Sequence, residues 1–278
     1  MIRIFLILMC TLSLYSAHIN FGYSSSSVNQ FSKKDTLIAI KVWIREILRD
    51  DEDTIDFFFY DNSKHMIEDL KLGKLDIVIT FGLDFVKYIE KSELVNAFAG
   101  GMNNRSLDNF ILLVHKNSSK KKLLANKNPR IAVQKNEEIS KLYLKHYFLK
   151  HKGHENINFV DVRKRKEAIL KVFFKNADAA LVTKKTFEFA KELNPQIGRS
   201  LKVIETTNIP AGNFGFFRQG LDPHVRSELV SRALDIINSN RGRQILDIFQ
   251  IDRVVETKVE ELAPIEKLYN DYKILKKG

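Results

Sequence analysis

The sequence predicts an α/β protein of two similar lobes, and three observations carry that reading. Short apolar strands alternate with amphipathic helices along the chain, the pattern of parallel strands covered by helices on both faces. The alternation begins a second time after a basic, polar break at Lys120-Lys121-Lys122 and residues 126–130. A phrase also recurs. Gly73-Lys74-Leu75-Asp76-Ile77-Val78-Ile79-Thr80 is echoed by Lys175-Asn176-Ala177-Asp178-Ala179-Ala180-Leu181-Val182-Thr183. In each, a helix ends, a tight turn follows, and an Asp leads a buried strand that closes on Thr. The plainer alternative is that an Asp before a buried strand is simply common in α/β turns.

The elements follow in order. Residues 19–23 alternate as a short strand, and Ser24 to Ser27 form a polar loop. Residues 35–49 place Leu37, Ile40, Trp43, Ile44, Ile47 and Leu48 at helical spacing. Residues 55–60 are rich in β-favouring aromatics. A short helix over 65–72 ends at Gly73. Ile77 to Thr80 is a buried strand, and Gly82-Leu83 opens a helix with Phe85, Val86 and Ile89 on one face. Phe110 to Val114 reads as the last strand of the first unit. The second unit offers strands at 130–133, 157–160, 179–182 and 201–204, with helices at 138–149, 166–175 and 186–193. Residues 213–217 form a further strand, followed by helices at 223–238 and 244–249.

Composition narrows the possibilities. Of 278 residues, 44% are hydrophobic and 28% charged, which excludes a disordered or collagen-like chain. The net charge of +11 favours an anionic partner without choosing among small anions, membranes and nucleic acid. Cys10 is the only cysteine, which excludes a disulfide framework and a cysteine zinc site. Arg3 followed by the apolar run from Ile4 to Leu12 reads as a signal peptide over residues 1–17, cut near Ala17. The run is shorter than the roughly 20 apolar residues of a membrane span. A lipoprotein signal ending at Cys10 is the rival, with Met9 where a small residue belongs. Export to the periplasm weighs against nucleic acid as the partner of the positive charge.

The phrase from Gly73 to Gly82 resembles the first-lobe signature of the periplasmic phosphate/phosphonate-binding proteins of ABC transporters. The resemblance continues in Ala177-Asp178-Ala179-Ala180-Leu181-Val182-Thr183, in Glu192-Leu193-Asn194-Pro195-Gln196 and in Gly242-Arg243-Gln244-Ile245-Leu246. It implies the type II periplasmic-binding-protein architecture: two α/β lobes joined by two crossing strands, here near residues 109–113 and 215–218. The division implied is 18–110 for the first part of lobe 1, 111–214 for lobe 2, and 215–278 for the return to lobe 1 with C-terminal helices. The function implied is capture of a small anionic or zwitterionic ligand in the cleft and its delivery to an inner-membrane ABC permease. Presentation to a sensor such as a histidine kinase is the alternative.

Ligands of open α/β sheets lie beyond the carboxyl ends of the strands. That rule selects Ser24, Ser25 and Ser26, Tyr60, Thr80, Gly82, Gln134, Asn136, Glu137 and Thr183. The serines either present hydroxyls and N–H groups to an anion or form a flexible loop. Phe85 either walls the ligand or belongs to the core. The family places hydroxyl residues where this chain has Gln134-Lys135-Asn136-Glu137-Glu138, and the two acids would compete with an anion for helix N–H groups. The family also shows a His-Glu-Ala stretch that reaches the ligand; here it reads Lys166-Glu167-Ala168, making Lys166 a cationic donor or part of a solvated helix start. No nucleophile elbow, Gly-rich phosphate loop or His-Glu-x-x-His motif is present. The expectation is therefore a monomeric binding protein, not an enzyme, without cofactor or metal.

Overall fold

A computed structural model describes residues 18–25, 38, 40–44, 46, 55–101, 108–249 and 251–277. The expected signal peptide, Ser26 and most of the expected helix over 35–49 lie outside the described residues. The elements are β1 (Ile19–Ser24), β2 (Ile55–Tyr60), α1 (Ser63–Lys71), β3 (Ile77–Phe81), α2 (Gly82–Tyr88), β4 (Leu94–Gly101) and β5 (Asp108–His115). They continue with α3 (Lys120–Ala125), β6 (Arg130–Gln134), α4 (Glu138–Lys152), β7 (Asn158–Val162), α5 (Arg165–Phe173), β8 (Ala179–Thr183), α6 (Lys184–Leu193), α7 (Pro195–Ser200) and β9 (Leu201–Ala211). The chain closes with β10 (Asn213–Arg218), α8 (Pro223–Asp235), α9 (Asn240–Phe249), β11 (Arg253–Thr257) and α10 (Ala263–Leu275).

Two mixed sheets result. One has the order β11-β4-β10-β3-β1-β2, the other β7-β6-β8-β5-β9. In the first, β1 pairs in parallel with β2 and β3, while β10 runs antiparallel between β3 and β4. In the second, β6 pairs in parallel with β7 and β8, and β5 lies antiparallel between β8 and β9. The chain thus leaves the first sheet after Gly101 and joins the second by Asp108. It returns between Ala211 and Asn213 through Gly212, whose φ of 147° suits a residue without Cβ. Both changes of sheet precede the expected crossings at 109–113 and 215–218, which fall inside fully paired β5 and β10.

Phe110 to Val114 was expected to end the first unit in parallel; instead it is an antiparallel strand of the second sheet. Its continuous apolar run reports burial on both faces, and burial does not say in which sheet. Phe110, Leu112 and Val114 face one core, Ile111 and Leu113 another. Strands β4 and β11 carried little signal because β4 ends in Ala-Gly-Gly and β11 is a short edge strand.

The recurring phrase is the same structure twice. In the first lobe Lys74 and Leu75 donate N–H groups to Asp69 O; in the second Asn176 and Ala177 donate to Lys171 O. Gly73 at φ 72° and Lys175 at φ 60° occupy the same left-handed position of that turn. Asp76 N–H then donates to Asn20 O (2.8 Å) while its carboxylate accepts Asn20 N–H (2.9 Å). Asp178 repeats this with Arg130, its N–H to Arg130 O (2.8 Å) and its carboxylate on Arg130 N–H (2.8 Å). The Asp satisfies both polar groups at the start of the neighbouring strand, β1 or β6, and so fixes the register of the parallel pair.

The C-terminal helix ties the halves together. Helix α10 buries Ile265 and Leu268 in a core shared with Phe85, Phe148 and Phe216. It touches α2 of the first lobe and runs along α4 and β9 of the second. At its end Tyr272 donates to Glu155 (2.6 Å), and Lys276 pairs with the same carboxylate (3.2 Å). The chain therefore makes a third connection between the lobes.

Candidate ligand pocket between the lobes

A cavity of about 220 Å³ opens between the lobes. The first lobe supplies Asp61, Asn62, Ser63 and Lys64, where β2 turns into α1. It also supplies Phe81, Leu83, Asp84 and Tyr88 from the end of β3 and α2. The second lobe supplies Asn136, Glu138 and Ile139 at the start of α4. These are carboxyl ends of parallel strands and the first turns of the helices that follow them, where N–H groups lack intrahelical acceptors.

The two principal helix starts differ. Asn62 caps α1, its side-chain oxygen accepting N–H bonds from Lys64 (2.9 Å) and His65 (3.4 Å). Helix α4 runs for 15 residues and has no side-chain cap. Its N-cap residue, Glu137, is 2% exposed, and its carboxylate turns away from the helix N–H groups. It accepts bonds from both Arg165 Nε (3.1 Å) and Arg165 Nη2, and from Ser140 Oγ (2.5 Å). Arg165 also lies over the Phe110 ring, 5.7 Å from its centroid. The negative charge at Glu137 is thus cancelled by a neighbour rather than by the helix, and Glu138 and Ile139 of the first turn line the pocket.

On the first-lobe wall a chain of hydroxyls ends on a carboxylate. Ser24 Oγ meets Ser63 Oγ at 2.9 Å, Ser63 Oγ meets Thr80 Oγ1 at 3.5 Å, and Thr80 donates to Asp84 at 2.6 Å. Burial pushes the Asp84 carboxyl above its ordinary value, against the hydrogen bonds from Thr80 and Ser63 and the attraction of Lys87. Lys87, one turn on, crosses the cleft to Glu138 (2.5 Å). Burial alone would lower its ammonium pKa; the bond to Glu138 raises it instead. The pocket therefore offers helix N–H groups and Lys64 to an anionic group, and Asp61, Asp84 and Glu138 to a cationic one.

Of the residues selected from sequence, Asn136 lines the pocket, and Ser24 and Thr80 stand behind Asp84 and Ser63. Ser25 is half-buried at the end of β1, away from the lining. Gln134 ends β6, and its carbonyl accepts Glu137 N–H (3.1 Å). Tyr60 donates its hydroxyl to Asp69 (2.7 Å), so its polar end faces α1; burial, reinforced by Asp69, raises its pKa. Phe85 is fully buried, edge-on to Phe216 at 4.8 Å. Gly82 gives room for packing: a Cβ there would lie 2.4 Å from Ile265 Cδ1. Thr183 caps α6, whose start is also occupied by Asp108 through Lys185 N–H (2.8 Å). Lys166 is exposed outside the pocket, and the neighbouring Arg165 holds Glu137 instead. The lining residues missed include Asn62, Ser63 and Lys64, and also Tyr88 and Ile139. Asn62 before an amphipathic run is a helix N-cap signal that starts α1 two residues earlier than expected.

Two α/β lobes, each presenting strand ends and helix starts to a shared cleft, define a two-lobed ligand-binding protein. Residues 35–262 match the family model for the periplasmic substrate-binding protein of phosphonate ABC transporters, and the chain belongs to that family of binding proteins rather than to an enzyme family. No curated protein matches the chain at a significant level. Among solved structures, the binding component of an ABC phosphonate transporter from Pseudomonas aeruginosa is 17% identical. Its TM-score is 0.61, over 94% of this chain and 88% of that one. PhnD1 from Prochlorococcus marinus, in complex with methylphosphonate, is 18% identical with TM-score 0.62, over 93% and 99%. A protein from Xanthomonas citri bound to ATP is 13% identical with TM-score 0.64, over 94% and 98%. All three share the fold. Among the described residues no helix is long and apolar enough to cross a membrane.

Proposed function

We propose that the protein captures a small phosphonate-type ligand, anionic or zwitterionic, in the inter-lobe pocket and hands it to an ABC permease in the inner membrane. Export through a signal peptide over residues 1–17 and action as a monomer complete the reading. The observation that carries it is the start of α4. Its first residues, Glu138 and Ile139, line the pocket, its N-cap residue makes no side-chain cap, and that residue, Glu137, is paired with Arg165. An anion there gains the helix dipole and unsatisfied donors together. A cavity of about 220 Å³ suits a ligand of a few heavy atoms and is small for a nucleotide. Asp84 and Glu138 suit an amine on the same ligand.

Calorimetry against phosphate, methylphosphonate and 2-aminoethylphosphonate tests this reading. The two phosphonates are expected to bind. Asp84→Asn is expected to weaken 2-aminoethylphosphonate by about ten-fold, one charge-assisted hydrogen bond, while methylphosphonate stays within about two-fold. Absence of binding by all three probes would reject the ligand class.

A further inference from the structure

The lobes meet through ion pairs at different distances from the chain crossings. Lys185–Asp252 (3.5 Å) lies beside the first crossing, because Asp252 N–H bonds Gly101 O (3.0 Å). Lys276–Glu155 fastens the end of α10 to the segment just after α4, along which α10 packs. Lys87–Glu138 (2.5 Å) instead spans the cleft, from α2 of the first lobe to the first residue of α4. Glu138 lines the pocket, and Lys87 follows the pocket residue Asp84 by three positions, on the same helix face. Lys91 of the first lobe also pairs with Glu266 of α10. Of these pairs Lys87–Glu138 is the one at the pocket, so swinging the lobes apart there separates it.

We infer that Lys87 and Glu138 form an ionic latch that holds the cleft closed over the pocket. The latch rests on reading this pocket as the ligand site, and it adds a regulation of that site: closure that is sensitive to charge and salt. Lys87 is 23% exposed and Glu138 71% exposed, so the pair sits at the screened end of ion-pair strength. A shift of about two- to five-fold in the ratio of closed to open molecules follows from that range. Ligand affinity scales with the closed fraction when only the closed form binds tightly.

Spin labels on cysteines at the exposed positions Leu72 in the first lobe and Lys150 in the second report lobe separation without ligand. Lys87→Glu is expected to shift the closed-to-open ratio toward open by at least two-fold, and Lys87→Glu with Glu138→Lys to restore it. Identical distance distributions in all three proteins, or no recovery in the exchanged pair, would overturn the latch. Methylphosphonate titration of the same proteins keeps the two readings apart. If unmodified protein binds no phosphonate, the ligand assignment falls, and the ligand-free distances still decide the latch.

Discussion

Two adjacent acids at the start of α4 have opposite roles, and only their surroundings separate them. Glu137 is 2% exposed and held by Arg165 and Ser140; Glu138 faces the pocket and Lys87. Sequence reasoning treated both as rivals of a bound anion, because a helix start is attractive to any carboxylate. The nearer positive partner won for Glu137, since a guanidinium gives two directed bonds in a low-dielectric setting. Arg165→Met would leave that carboxylate buried and unpaired. We expect a loss of about 1–3 kcal/mol in urea unfolding, below the range for fully buried pairs because Arg165 is partly exposed. Adding Glu137→Gln should recover most of it. A single substitution with no effect would show that Arg165 contributes nothing to stability.

At the scale of elements, the turn that leads into β3 and β8 was legible because its polar groups are local. A helix end, a left-handed residue and an Asp suffice to build it, and all lie within a dozen positions. The two copies differ at one point: Gly73 adopts its φ freely, whereas Lys175 holds φ 60° with a side chain. A Cβ at Gly73 would meet nothing within 4 Å, so substitution there costs conformation alone. Gly73→Ala should destabilise by about 1 kcal/mol and Lys175→Gly should stabilise by up to about 1 kcal/mol, as midpoints of thermal unfolding would register. A stabilising Gly73→Ala or a destabilising Lys175→Gly would undo the claim that the turns are equivalent. The edges of α1 were less legible: its N-cap Asn62 was passed over, and with it Ser63 and Lys64 of the pocket.

For the whole molecule, the proposed function requires the lobes to move about the two changes of sheet, between Gly101 and Asp108 and between Ala211 and Asn213. Helix α10, packed along α4, is expected to travel with the second lobe and pivot near residues 259–262. Saturation with methylphosphonate should reduce the radius of gyration measured by small-angle scattering more in Lys87→Glu than in the unmodified protein, whose latch already biases the lobes toward closure. It should also raise thermal stability by mass action, about 2.7 kcal/mol at a hundred-fold excess over the dissociation constant. A ligand that stabilises the protein without changing its radius would indicate lobes already closed, the state that the Lys87–Glu138 latch favours. The charge of +11 is a property of the whole surface and is screened beyond about 8 Å at physiological salt, so it does not choose the ligand.

The sequence by itself determined the α/β class, the buried strands and the duplicated turn. These are set by periodicity and short-range hydrogen bonding, which a linear string records. Only the tertiary structure decided that Phe110 to Val114 runs antiparallel between β8 and β9, and that Phe85 and Gly82 serve packing. It also brought the starts of α1 and α4 to one pocket and made Arg165, not Lys166, the partner of Glu137. Each of these depends on which surfaces meet across gaps of tens to hundreds of residues. An apolar pattern states that a side chain is buried; which neighbour buries it is settled by the complementary surfaces of the folded lobes.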